Sequence, residues 1–539
     1  MLYPCTGEAM SRFRWACCAL IIAAIFGAGI FCGTRWGQPD SAVPETAAAP
    51  DSPDPAGTAP RAAVTLHDSP LSQNATAPLA KEPPPLPGVP EAAAARSDMP
   101  FAPSSSSFTL CKLGKGDGPT LLIIGGIQGD EPGGFSAAAL IASHYTITSG
   151  SVWVVPDLNF PSIIERNRGL FGDMNRKFAF LDPKDPEYGS VTRIKSILMD
   201  EQVDLVLNLH DGSGFYRPAW EDSLRNPKRW GQSVIIDQEE MAASRFNQLL
   251  PMAAKARDDA NAALLKPEHR YHIHNTNTRL GDAEMEKTLS YFAVCNGKPA
   301  FGLEASKEFT TEYRSYYHLL LLESFMRQMG IAFERDFELT PAGVLAALNS
   351  NLKVAAYGNK LVLPLENIRP NLSLVPFKKD ADPSPRASKP LLTLVREKDK
   401  GNWRVAYGNR TLTRLNPAFL DFDDSLDSVE ILLDGKPHTV SMGKVLSVEK
   451  SFEVLASPEY RVNAIGAQKE KNGTEAGVTL VRKDFQPRFS VDKNATTYRV
   501  EFYKGKAFAG MLLVRFGQAD PNAKEPLTAT KGPESALGF

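Results

Sequence analysis

The 539-residue chain has few cysteines, and they sit where they do little for a fold. Of the six, Cys5, Cys17, Cys18 and Cys32 fall in or beside one apolar run near the N-terminus, which leaves Cys111 and Cys295 for the rest of the chain. None is spaced as in a zinc finger, so a cysteine-ligated metal module is excluded. The two remaining residues are expected as buried thiols, with a disulfide as the alternative in an oxidising compartment. A surplus of one charge is also lacking. The net charge of -2 provides no basic surface, and no nucleic-acid binding is expected. Long hydrophobic runs are absent with one exception. Residues 15–33 carry no charge, follow Arg12 and Arg14, and are about long enough to span a bilayer. Residues 1–35 therefore read as a signal anchor in the inner membrane, with a cleaved signal peptide as the alternative. The positive residues ahead of the run place the body outside the cytoplasm, in the periplasm. Phe31 before Cys32 argues against lipoprotein processing.

The rest of the chain is too long for one core. Residues 36–105 are rich in Pro, Ala and Ser, bury too little apolar surface to fold, and read as a disordered tether. Across 106–338, strand-like runs (119–124, 151–155, 204–209, 299–304) alternate with helix-like runs (135–143, 190–202, 239–262, 311–329). The pattern predicts an α/β domain, a mixed twisted sheet flanked by helices. Beyond it the segments become short, alternating and turn-bounded. Two small all-β domains are expected, one barrel-like (339–437) and one an Ig-like sandwich (438–518), before a disordered tail (519–539). Ala356-Tyr357-Gly358-Asn359-Lys360 and Ala406-Tyr407-Gly408-Asn409-Arg410 each place Gly-Asn between apolar runs, a hairpin signal.

The densest chemistry lies in Gly125-Gly126-Ile127-Gln128-Gly129-Asp130-Glu131, between the apolar run Leu121-Leu122-Ile123-Ile124 and a helix-like segment. Gln128 and Glu131 thus occupy a strand-to-helix loop, where α/β sheets place ligands. A catalytic zinc takes three protein ligands and keeps one position open. His210, closing the apolar run Val206-Leu207-Asn208-Leu209, is the candidate third; alone, a strand-end histidine is more often structural. Glu304 closes another apolar strand, where a carboxylate is costly unless it has a partner or a task. A loop from Glu165 to Lys177 holds Arg166, Asn167, Arg168, Asn175 and Arg176, and an arginine fork suits a carboxylate.

This ordered set, Gln-x-x-Glu, Arg, Asn-Arg, His and Glu, resembles the zinc carboxypeptidases of the carboxypeptidase A type. It is most similar to the branch with Gln in place of the first His, the bacterial peptidoglycan DL-carboxypeptidases that determine cell shape. The resemblance covers roughly 106–517, since that branch also carries two small β-domains. It implies one Zn2+ ion held by Gln128, Glu131 and His210. It implies that Arg168 polarises the scissile carbonyl, that Asn175 and Arg176 grip the terminal carboxylate, and that Glu304 is general base and acid. Arg168 is preferred to Arg166 for its spacing before Asn175-Arg176. The family's active-site tyrosine has no clear counterpart; His272, His274 and Tyr291 lie in the right interval. The implied partners are peptidoglycan stem peptides, and the implied reaction removes meso-diaminopimelate from L-Ala-γ-D-Glu-meso-diaminopimelate to leave the dipeptide. Gln128, a neutral and weaker donor than imidazole, predicts lower zinc affinity and a more electrophilic metal, or else a site that has lost its metal. Two other readings remain. The segment 125–131 is also close to the Gly-Gly-x-His-Gly-x-Glu motif of aspartoacylase and succinylglutamate desuccinylase amidohydrolases, although the anchor, tether and β-domains argue against that class. A non-catalytic peptidoglycan-binding scaffold is the other.

Overall fold

The computed structural model describes residues 108–517 apart from 244 and 398–400. The expected anchor, the tether and the tail lie outside the described residues. Among the described residues no helix is long and apolar enough to cross a membrane.

The α/β domain is built on seven strands: β1 (Cys111–Gly114), β2 (Thr120–Ile124), β3 (Ser151–Val155), β4 (Leu205–Gly212), β5 (Ser233–Ile236), β6 (His272–Asn275) and β7 (Ala300–Ser306). Their spatial order is β1-β3-β2-β4-β7-β5-β6. The four central strands, β3, β2, β4 and β7, run parallel. Every residue of β2, β3, β4 and β7 is buried, which explains their near-continuous apolar runs: both faces of the sheet are covered. After β2 the chain crosses to β3 on one side, and then returns to add β4 on the other. The strand order therefore reverses between β2 and β4, and the crevice at their carboxyl ends is where such sheets bind ligands. Gln128 and Glu131 follow β2; His210 lies two residues before the end of β4.

The helices α1 (Pro132–His144), α2 (Tyr188–Leu198), α3 (Leu249–Ala262), α4 (Leu289–Cys295), α5 (Thr311–Gln328) and α6 (Pro341–Asn349) cover the sheet and lead into the β region. The helix expected over 239–262 begins only at Leu249. Pro251 explains the start: proline lacks the N–H that a helix interior needs and fits only the first turn.

In the C-terminal region, one core unites a three-stranded and a four-stranded sheet over 353–420 and takes in Phe135 and Ala139 of α1, so it grows directly onto the α/β domain. Two further four-stranded sheets share a separate core that begins at Leu426. Ser428–Leu433 pairs with Lys436–Ser441 around Asp434 and Gly435, both with positive φ. This hairpin runs across the 437/438 boundary expected from the sequence, because both of its strands serve the second β core. The two Gly-Asn segments are hairpin turns, as expected: Lys353–Ala356 pairs with Leu361–Pro364, and Trp403–Tyr407 with Arg410–Leu420. Cys111 is half-buried and Cys295 is exposed, and both are free, so the expectation of two buried thiols holds for neither in full. Burial and the nearby Asp157 push the Cys111 thiol up to about 12.

Candidate metal centre and binding cavity

The loop after β2 needs its glycines. Gly126 has φ +74, and a Cβ at Gly129 would stand about 2.1 Å from the backbone of Ser162. With no side chains in the way, the loop turns tightly against 160–164 and directs Gln128 and Glu131 into the crevice. Glu131 occupies the N-cap position of α1, with Pro132 at the first helical position, but its side chain caps nothing and faces the crevice instead. The helix N-terminus is satisfied from elsewhere: Gly133 N–H donates to Asp211 Oδ2 at 2.7 Å.

Three lone-pair donors converge at this point. Gln128 Oε1 lies 2.9 Å and Glu131 Oε2 3.1 Å from His210 Nδ1. Ligands of a tetrahedral metal with bonds of about 2.0–2.1 Å stand roughly 3.3 Å apart, so the spacing suits such an ion. Among the described residues no cluster of three His, Cys, Asp or Glu side chains could hold a metal; here the third donor is an amide. Gln128 is oriented for the task, because its Nε2 donates to Asp173 Oδ1 at 2.8 Å and leaves Oε1 facing His210. The residues present fit a metal ion.

The parallel register pairs Glu304 on β7 with His210 on β4, so the two side chains stand side by side on one face. Glu304 is 7% exposed, and its Oε2 is buried without a hydrogen-bond partner. Burial, Glu131 and Asp211 push its carboxyl well above the usual range, while Lys307 and Arg168 pull it down.

Arg168 Nη1 donates to Glu131 Oε1 at 3.1 Å, and its Nη2 lies 3.0 Å from Asp173 Oδ2. Burial disfavours the Arg168 charge, but Glu131 and Asp173 more than offset it. Arg166 instead turns away at φ 54 and donates to Asn409 O in the β region, so of the two arginines it is Arg168 that lines the cavity. Asp173 also caps the 3-10 turn Met174–Arg176 through Asn175 N–H at 2.9 Å. Burial would raise the Asp173 carboxyl; Arg168 and the Gln128 amide hold it below the usual range. Asn175 Oδ1 accepts Leu289 N–H at 3.0 Å, which leaves its Nδ2 free to donate.

Gln128, Glu131, His210, Glu304, Arg168, Asn175 and Arg176 all line one cavity of about 340 Å3. His272, His274 and Tyr291 do not. His274 stacks on Tyr216 at 4.1 Å, behind Trp230, which does line the cavity. Among the described residues no tyrosine lines it.

Several functional side chains had not been singled out from the sequence. Asp173 lies in the same loop as Asn175 and Arg176. Asp211, fully buried beside His210, holds the α1 N-terminus and is met by Arg314 Nη1 at 3.1 Å and His318 Nε2 at 3.2 Å. Burial would raise its carboxyl, yet the hydrogen bond with His318 and the Arg314 charge hold it below the usual range. Lys307, just past β7, ion-pairs with Asp130 at 2.8 Å and lies 3.5 Å from Glu131. The signal for Asp211 was a charge at the end of a buried strand, the argument already used for Glu304.

Comparison with known proteins bears on this geometry. The model of the catalytic domain of carboxypeptidases controlling helical cell shape matches residues 109–349, and that of the C-terminal domain of metallo-carboxypeptidases matches 422–517. The cell shape determinant protein Csd4 of Helicobacter pylori, in apo and tripeptide-bound crystal structures, is 43% identical over 76% of this chain and all of that one, with a TM-score of 0.72. Its mDAP-bound form, described as a D,L-carboxypeptidase, is 44% identical over 74% of this chain and 97% of that one, with a TM-score of 0.71. Among curated proteins, an N-alpha-acetyl-L-2,4-diaminobutyric acid deacetylase of Halomonas elongata is 35% identical over 107 residues, 18% of this chain. The match spans only 30% of that enzyme's length.

Proposed function

The chain belongs to the family of metallo-carboxypeptidases that control helical cell shape, and from that premise we propose that it is a zinc-dependent peptidoglycan DL-carboxypeptidase. It trims the muramyl tripeptide L-Ala-γ-D-Glu-meso-diaminopimelate between D-Glu and diaminopimelate and leaves the dipeptide, which alters wall structure and cell shape. One observation carries the reading. Gln128 Oε1, Glu131 Oε2 and His210 Nδ1 converge beside the unpartnered Glu304 oxygen, in a cavity walled by Arg168, Asn175 and Arg176.

One zinc ion held by Gln128, Glu131 and His210 would supply Lewis acidity to the scissile carbonyl and to the attacking water. The chain's own residues do the rest. Asn175 Nδ2 and the Arg176 guanidinium hold the terminal carboxylate, so only a C-terminal residue is removed. Arg168 faces the carbonyl oxygen, where negative charge grows in the transition state. Glu304, whose burial raises its proton affinity, accepts a proton from water and returns it to the leaving amine. The N-terminal run behind Arg12 and Arg14 supports a periplasmic body held at the inner membrane, and the β-domains would orient it on the wall.

The test is digestion of purified muropeptides by the purified protein, with and without zinc and beside Glu304→Gln, with products identified by mass. Zinc-dependent release of diaminopimelate that falls by about 10²–10⁴ in Glu304→Gln is the expected result. Cleavage of N-acyl amino acids but not of muropeptides would overturn it in favour of the amidohydrolase class.

A further inference from the structure

The cavity holds three cations, and the reaction as read uses two of them. Arg176 serves the leaving residue's carboxylate and Arg168 the scissile carbonyl. The third, Lys307, has no part in either step. Its backbone is pinned on both sides: Lys307 N–H donates to Gly212 O at 2.7 Å, and its carbonyl accepts from Arg314 Nη2 at 2.7 Å. The side chain thus leaves a fixed point and reaches the cavity wall. Of the ammonium's three donors, one goes to Asp130 Oδ2 and a second faces Glu131 Oε1, which leaves a third for a ligand.

Contacts order these groups along the cavity. Asn175 touches Asp173; Asp173 touches Gln128 and Arg168; Arg168 touches Glu131; Glu131 touches Lys307. Lys307 thus stands at the Glu131 end of this series of contacts, and Asn175 with Arg176 at the other. A substrate whose terminal carboxylate rests on Arg176 and whose scissile carbonyl rests on Arg168 brings its acyl side to Lys307.

Building on the carboxypeptidase reading, we propose that Lys307 is a specificity residue that binds the free α-carboxylate of the γ-linked D-glutamyl residue. The γ-linkage is what puts an anion there. It leaves the α-carboxylate unconjugated and separated from the scissile carbonyl by three carbons, where an α-linked peptide has only neutral backbone. Lys307 thereby distinguishes a γ-glutamyl acyl group from ordinary peptides and from its uncharged α-amide.

The experiment compares the zinc-loaded full-length protein on two tripeptides, one with γ-D-Glu and one with the γ-D-isoglutamine amide at the same position. The wild type should prefer the carboxylate by about 10- to 100-fold in kcat/KM, the range of a hydrogen bond to a charged group. In Lys307→Met the preference should vanish, with the carboxylate substrate losing far more than the amide, so that the two values of kcat/KM converge. Lys307→Arg should restore much of the preference, and zinc content should be unchanged throughout. Equal loss on both substrates would assign Lys307 to supporting Glu131 and overturn the proposal. So would a wild type that does not discriminate, a result independent of how any variant folds. A wild type that cleaves neither tripeptide would instead remove the carboxypeptidase reading itself.

Discussion

Asp173 is the residue on which the candidate metal centre would depend without being one of its ligands. One carboxylate fixes the Gln128 amide at 2.8 Å, caps Asn175 at 2.9 Å and holds Arg168 at 3.0 Å. An amide, unlike an imidazole, presents either an acceptor or a donor to the site depending on a flip of its terminal bond. Asp173 blocks the wrong flip, because an oxygen facing it would set acceptor against acceptor. Asp173→Ala removes a charged hydrogen bond of roughly 1.5–3 kcal/mol from the correct orientation. Residues that orient metal ligands are commonly worth 10–100-fold in affinity, about 1.4–2.7 kcal/mol, so two independent arguments agree in size. Zinc affinity in Asp173→Ala, measured by competition with a chromogenic chelator, should therefore fall about 10–100-fold.

Asp173→Asn separates the roles. Its oxygen keeps the Gln128 and Asn175 partners, since both use the same Oδ1, and its new NH2 then confronts Arg168. Zinc affinity should stay within about threefold of wild type, while kcat/KM at saturating zinc falls at least about tenfold. Unchanged zinc affinity in Asp173→Ala would refute the reasoning, because it would mean that Gln128 needs no orientation or contributes nothing to the metal.

Two further outcomes follow from the same geometry. In Gln128→His the ring's second N–H takes the place of Nε2 and donates to Asp173, so zinc affinity should rise by about tenfold or more, and a weaker site would contradict the placement. Far from the cavity, Lys389 is 2% exposed, donates to the Ala347 carbonyl at the end of α6, and is lowered by burial to about 7. Its unfolded value is about 10.4, so between these values the unfolded chain holds the proton that the folded chain has shed, and folding becomes more favourable as pH rises. Thermal melts should show the wild type gaining on Lys389→Met between pH 7 and 10. A gap that does not change with pH would place the ammonium in contact with water.

How much of this was legible in the sequence follows from what each residue depends on. Gln128, Glu131, His210 and Glu304 were legible because each stands at or just past the end of an apolar strand, and apolar runs identify parallel strands without knowledge of their neighbours. The hairpins at 356–360 and 406–410 were legible because their turn chemistry is local. The start of α3 was misjudged although Pro251 was in plain view, since apolar and alanine-rich residues upstream hid a rule about the first turn. The division of the β region at 437/438 failed for a different reason. A hairpin belongs to whichever core buries it, and that core draws on strands as distant as Ala507–Phe516. The least legible residues were those acting through others. Asp130 and Lys307 are 177 residues apart, and Gly133 and Asp211 are 78 apart. No spacing rule joins such pairs. They meet because β2, β4 and β7 lie side by side and parallel, so the loops that follow them leave from the same edge of the sheet and share one crevice. The ligands belong to individual strand ends and can be read singly. The row of alternating charge from Arg176 through Asp173, Arg168 and Glu131 to Lys307 belongs to the sheet as a whole, and it is this row that gives the cavity a direction for its substrate.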